Sequence, residues 1–206
     1  MGPDRIPADW PLRDCSEFIH CGEILWHTQR IGAGPVVLLL HGTGASSHSM
    51  SGLATLLSRQ FTCVLIDLPG QGFTPALGER KHLLCAISSA VADPCDQLDL
   101  VPDYVIGHSA GAAVGIRMSL DTPIAPKGIL SINGALLPFG AFIEPLMIKA
   151  ARGLSQSSRV VHFLPQRGPG KAYVRRALRD TGAAISERMI QRYAQLISQP
   201  EHIEGT

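Results

Sequence analysis

A chain of 206 residues with 45% hydrophobic and 17% charged side chains carries ample material for a packed core, which excludes a disordered or fibrous polypeptide. The formal net charge of +1 gives no reason to expect a nucleic-acid partner. Five cysteines, an odd number with no C-x-x-C spacing, form no disulfide or zinc framework, and no run of about 18 apolar residues could serve as a transmembrane segment. The start, Met1 to Arg5, lacks the apolar core of a secretory signal, so the expected location is cytoplasmic. The charge is uneven. From Gly134 onward there are ten Lys/Arg against five Asp/Glu, and before it eight against twelve. A basic C-terminal third is either a surface for an anionic partner or a solvated helical face.

Residues 1–15 are polar and proline-containing and read as an irregular segment. Glu17 to His20 and Ile24 to Gln29 are strand candidates split by a turn at Cys21-Gly22. Val36 to Leu40 is a continuous apolar run, suited to a strand buried on both faces, and it leads directly into His41-Gly42-Thr43-Gly44. Leu53, Leu56 and Leu57 have helical spacing. Phe61 to Leu68 is a second buried strand ending in Asp67-Leu68-Pro69-Gly70-Gln71-Gly72, and a helix over Lys81 to Ala92 is expected to stop near Pro94. Cys63 in that strand and Cys85 in that helix read as small hydrophobes. Asp103 to Ile106 is a third strand, Ala112 to Leu120 a helix and Gly128 to Ile132 a fourth strand. Such alternation specifies a mostly parallel sheet with helices on both faces, and ligands of such sheets gather at the carboxyl ends of the strands. The three Gly-rich segments all fall at that edge.

After Gly134 strand signals stop. Helical patterns cover Phe142 to Arg152, Lys171 to Arg179 and Ser186 to Ser198, the last with Ser186 as N-cap and a stripe of Met189, Ile190, Tyr193, Leu196 and Ile197. The predicted organisation is an irregular segment over 1–15, an α/β core over 16–133 and a helical lid over 134–206.

Gly107-His108-Ser109-Ala110-Gly111 fits G-x-S-x-G, and the strand before it and the small residues after it supply the strand–turn–helix setting in which a serine Oγ is lifted out as a nucleophile. Acyl transfer also needs two N–H groups aimed at the oxygen that becomes negative. The candidate oxyanion donors are the backbone amides of Thr43 and Ala110. Gly42 and His108 are candidates for lining the substrate site, with Phe139 and Phe142 from the lid. His41 reads as a loop-holding residue rather than a general base. No metal site and no dinucleotide or P-loop fingerprint is visible, so no cofactor is expected.

These motifs, in this order, resemble the α/β-hydrolase fold from about Ile24 to Asn133. The Asp67 turn resembles the D-x-x-G-x-G turn of that fold, with Gln71 where a histidine is usual. Ala8-Asp9-Trp10-Pro11, His41-Gly42-Thr43-Gly44-Ala45, Ser109-Ala110-Gly111-Ala112-Ala113 and Ser131-Ile132-Asn133-Gly134-Ala135-Leu136-Leu137-Pro138-Phe139 resemble the magnesium-chelatase accessory proteins of bacteriochlorophyll synthesis in phototrophic bacteria. That resemblance implies assistance to magnesium insertion into protoporphyrin, a tetrapyrrole among the candidate small-molecule substrates, and magnesium-chelatase subunits as partners.

A working triad of this fold runs Ser, acid, His in chain order. The place after the fourth strand, where some relatives carry the acid, is Asn133. The later acids Asp121, Glu144, Asp180, Glu187, Glu201 and Glu204 and the histidines His162 and His202 fall at a helix end, in the lid or in the tail. The expectation is therefore a fragment whose C-terminal strands, triad acid and base are missing, inactive by itself although the full-length protein has a serine-hydrolase-type site. An unpaired sheet edge and poor solubility would follow. Two other functions fit the residues: a generic serine esterase or C–C hydrolase, and a non-catalytic tetrapyrrole-binding protein whose lid cavity is lined by Phe139, Phe142, Leu146 and Met147, with the basic lid face, including Arg175 and Arg176, meeting propionates or an acidic partner.

Overall fold

The computed structural model describes residues 5–78, 84–136, 174–175, 178–179, 185–197, 199 and 202. The chain forms two compact units, the larger within Met1–Leu136 and the smaller within Leu137–Ile203.

In the larger unit, β1 (Ser16–Cys21) and β2 (Ile24–Ile31) form a hairpin, followed by β3 (Val36–Leu40), β4 (Thr62–Ile66), β5 (Tyr104–His108) and β6 (Gly128–Ile132). The sheet order is β1-β2-β4-β3-β5-β6. β2 runs antiparallel to both its neighbours, and β3 to β6 are parallel. The fold is that of an α/β hydrolase, as the sequence predicted.

Alternation along β3 explains the two-sided core. Leu38 and Leu40 face one layer with Val64, Ile66, Val91, Val114 and Met118. Val37 and Leu39 face the other with Met50, Ala54, Cys63 and Leu65. The first layer is covered by α2 (Leu84–Ala90), α3 (Ala92–Gln97) and α4 (Ala110–Asp121), the second by α1 (Ser51–Leu57). Each such aliphatic side chain taken out of water contributes about 1.5–3 kcal/mol, which is why these runs choose the centre of the sheet.

Three expectations need correction. The helix expected to stop near Pro94 is interrupted at Val91 and resumes as α3 through Gln97. Pro94 sits in the first turn of α3, where its missing N–H has no helical acceptor to lose. Cys85 is exposed rather than packed. The N-terminal segment is not simply irregular: Ile6 and Trp10 are buried, and Arg13–Cys15 form a 3-10 turn. Gln29 holds that segment down, its amide donating to the carbonyls of Pro11 and Leu12 and to Ser16 Oγ.

In the smaller unit, α5 (Glu187–Ile197) begins with the Ser186 Oγ accepting the Met189 N–H at 3.1 Å, the cap read from the sequence. Ile190 packs with Val174 and Leu178, and Arg175 pairs with Glu187. The helix expected over Phe142 to Arg152 lies outside the described residues. Among the described residues no helix is long and apolar enough to cross a membrane.

Candidate active site at the carboxyl edge of the sheet

Four turns leave the carboxyl ends of the parallel strands: His41 to Gly44 after β3, Asp67 to Thr74 after β4, Ser109 after β5, and Asn133 to Ala135 after β6. Ser109 stands alone between β5 and α4 with φ 52° and ψ −118°, a conformation that costs a residue with a side chain about 1–3 kcal/mol. It is held there by its neighbours. The Ser109 N–H donates to Ile132 O at 3.0 Å, and Ser109 O accepts from the N–H groups of Ala112 and Ala135, each at 3.1 Å. The flanking glycines permit this packing, because a Cβ on Gly107 would lie 2.4 Å from Ala112 Cα and one on Gly111 2.3 Å from Leu40 O. Gly42 passes beside the serine: a Cβ there would sit 3.0 Å from Ser109 Cβ and 3.1 Å from His108 Nδ1. Gly42, His108 and Ser109 are thus brought together. The amides of Thr43 and Ala110 donate no hydrogen bond among the described residues. Ala110 opens α4, where an N–H has no helical acceptor and the helix dipole favours negative charge.

The loop after β3 is fixed by His41. Its Nδ1 donates to Gly42 O at 2.8 Å and its Nε2 accepts the Leu68 N–H at 3.0 Å. Burial pushes His41 below the usual imidazole value, against the pull of Asp67 and the Gly42 carbonyl, which act to raise it. With both nitrogens engaged, this neutral ring is a strut.

Asp67 is a buried hub that the sequence reading placed only within a turn. One carboxylate oxygen accepts the Ser47 N–H at 2.6 Å; the other accepts His27 Nδ1 at 2.7 Å and the Phe73 N–H at 2.9 Å. Burial acts to raise its pKa, but the charge and hydrogen bond of His27, with His41 and the Ser47 amide, outweigh it and hold the carboxyl well below the usual range. His27 pairs with Asp67 across 40 residues, and no local sequence pattern signals such a contact. Gln71 is buried and accepts the Gly44 N–H at 2.9 Å.

Asn133 is exposed at φ 48°, a left-handed conformation that asparagine tolerates. Asp121 pairs with Arg117 at 2.5 Å and Glu187 with Arg175. His202 is buried in the smaller unit. Phe139, Phe142, Leu146, Met147, His162, Arg176, Glu144, Asp180, Glu201 and Glu204 lie outside the described residues. No described side chain hydrogen-bonds Ser109 Oγ, and no three His, Cys, Asp or Glu among the described residues converge as a metal centre requires.

The chain belongs to the α/β hydrolase family, which its residues 37–202 match. Within it, the chain is 33% identical over 207 aligned positions to the magnesium-chelatase 30 kDa subunit of Rhodobacter capsulatus, covering 100% of this chain and 72% of that protein. It is 31% identical over 106 positions to a pimeloyl-[acyl-carrier protein] methyl ester esterase of Aeromonas hydrophila, covering 50% of this chain and 39% of that one. A solved epoxide hydrolase, CorEH, shares the fold with a TM-score of 0.75 at 21% identity, over 92% of this chain and 70% of its own.

Proposed function

We propose that this chain carries the serine site of an α/β hydrolase that assists magnesium insertion into protoporphyrin during bacteriochlorophyll synthesis. Ser109 is the nucleophile, and the Thr43 and Ala110 amides are the oxyanion donors. The observation that supports the serine chemistry is the strained backbone of Ser109 between β5 and α4, beside a glycine that leaves room for substrate. As Oγ bonds to a carbonyl carbon its proton passes to a general base, which lies outside the described residues in this reading, the C=O π pair moves onto the oxygen, and two preorganised N–H groups stabilise that charge by several kcal/mol. The magnesium-chelatase role rests on similarity to the Rhodobacter capsulatus subunit along the whole of this chain. Magnesium is cargo in this reading, and a tetrapyrrole is the substrate class.

Two measurements on the protein expressed from its complete reading frame test the reading. A fluorophosphonate probe should label Ser109 and leave Ser109→Ala unlabelled; equal labelling of both removes the serine. Adding the protein to magnesium-chelatase subunits with protoporphyrin should raise the rate of magnesium insertion, and an unchanged rate ends the chelatase role. The esterase similarity over half the chain favours a second reading, a generic serine esterase. Ser109-dependent turnover of simple methyl esters with no effect on chelation would select it.

A further inference from the structure

We propose that Gln71 is a positioning residue for the loop that carries the Thr43 oxyanion donor, an inference that rests on the serine-hydrolase reading above. The loop Gly42 to Ala45 is a tight turn closed by the Ala45 N–H donating to Gly42 O at 3.2 Å, with Gly44 at φ 74° in its third position. A positive φ there is the mark of a type II turn. The weakness of such a turn is its central peptide, which can rotate as a unit and exchange one turn type for another. Gln71 holds that peptide, because its Oε1 takes the Gly44 N–H at 2.9 Å.

The preceding peptide is held from the other side. Gly42 O accepts both His41 Nδ1–H and the Ala45 N–H. A trans peptide points its C=O and N–H in opposite directions, so fixing the Gly42 carbonyl aims the Thr43 N–H the other way. Two consecutive peptide planes are therefore clamped, one by His41 and Ala45 and one by Gln71, while the Thr43 amide stays unpaired among the described residues. Gln71 is itself anchored, its N–H donating to Leu68 O at 2.9 Å and its carbonyl accepting the Thr74 N–H at 3.2 Å. A glutamine amide accepts at every pH, whereas an imidazole in its place accepts only while neutral.

The test uses the protein from its complete reading frame, with Gln71→Met and Gln71→His variants, Ser109→Ala as blank and fluorophosphonate labelling of Ser109 as readout. Gln71→Met, similar in length but without the acceptor, should label about tenfold slower or more, since small misplacements of catalytic groups carry large rate penalties. Amide exchange at Gly44 should become faster in the same variant. Gln71→His should approach the parent rate above about pH 7.5 and fall away below the imidazole range near about 6.5. That new acid limb in the variant-to-parent ratio is a signature that loss of stability alone would not produce. A Met variant labelled at the parent rate, or a pH-independent His-to-parent ratio, overturns the inference and leaves the role of Ser109 standing. A parent chain unlabelled at Ser109 overturns both.

Discussion

After β4, on one side of β3, the chain turns through a set of bonds that leaves little unused: Asp67 accepts three donors, His41 takes the Leu68 amide, and the Gly70 and Gln71 amides close onto Thr74 O and Leu68 O. After β5, on the other side, the chain turns in a single strained residue and leaves the Ala110 amide unpaired among the described residues. Both turns are reached by short parallel strands of the same sheet, and both have glycines in them or close beside them. The difference is what each does with its polar groups. The first satisfies them internally and is a scaffold; the second leaves the Ala110 amide unsatisfied among the described residues and keeps Ser109 in a strained conformation. Gln71 reaches from the satisfied turn to Gly44, in the loop that carries the second candidate donor.

Breaking the satisfied turn should have the largest effect. Asp67→Ala leaves a buried His27 and two amides without their acceptor, and should cost about 3–5 kcal/mol in urea denaturation; a loss below about 1 kcal/mol would mean the hub contributes little. Acid should weaken the same turn in two stages of smaller size. His41 in the folded chain titrates below its ordinary 6.5, so the unfolded chain takes the proton first and stability declines as pH falls from that value. Asp67 is depressed below 3.8, so its contribution is complete above that pH and is lost as pH falls towards the folded-state value. Urea midpoints measured from pH 7 to pH 3 should trace both stages, and a flat profile would contradict them.

The strained turn responds differently. Gly111→Ala drives a methyl to 2.3 Å from Leu40 O and 2.5 Å from His41 O, both backbone atoms that cannot swing aside, so a loss of about 1–3 kcal/mol is expected by thermal melting. Ser109→Gly should do the opposite. Glycine accepts φ 52° and ψ −118° without the Cβ penalty, and after its extra chain entropy is subtracted the variant should be about 1 kcal/mol more stable than Ser109→Ala. Equal melting temperatures for the two variants would show that the serine backbone stores no strain.

The parallel strands were legible because each is built on an apolar run with a glycine in it or in the turn that follows, and the setting of Ser109 was legible because strand, turn and helix are contiguous from Tyr104 to Asp121. What escaped was non-local. Nothing in the spacing of His27 and Asp67, or of Gly44 and Gln71, announces a hydrogen bond, since each depends on which strands the sheet places side by side. The burial of Trp10, noted in the sequence only as part of the Ala8-Asp9-Trp10-Pro11 motif, was hidden because its neighbours are polar and proline-rich, yet its ring packs edge-on against Phe73 with centroids 5.1 Å apart. Pro94 misled because proline stops a helix only in its interior.

The amide and carbonyl of Ser109 are both tied to the terminus of β6, through Ile132 O and the Ala135 N–H. Among the described residues β6 pairs only with β5, and Leu130 on it is 56% exposed. Any change that displaces residues 132–135 therefore moves the backbone of the serine itself, whether or not those residues touch substrate. A substitution there should slow probe labelling of Ser109 by more than it lowers the calorimetric transition, which would separate the seating of the serine from the stability of the sheet.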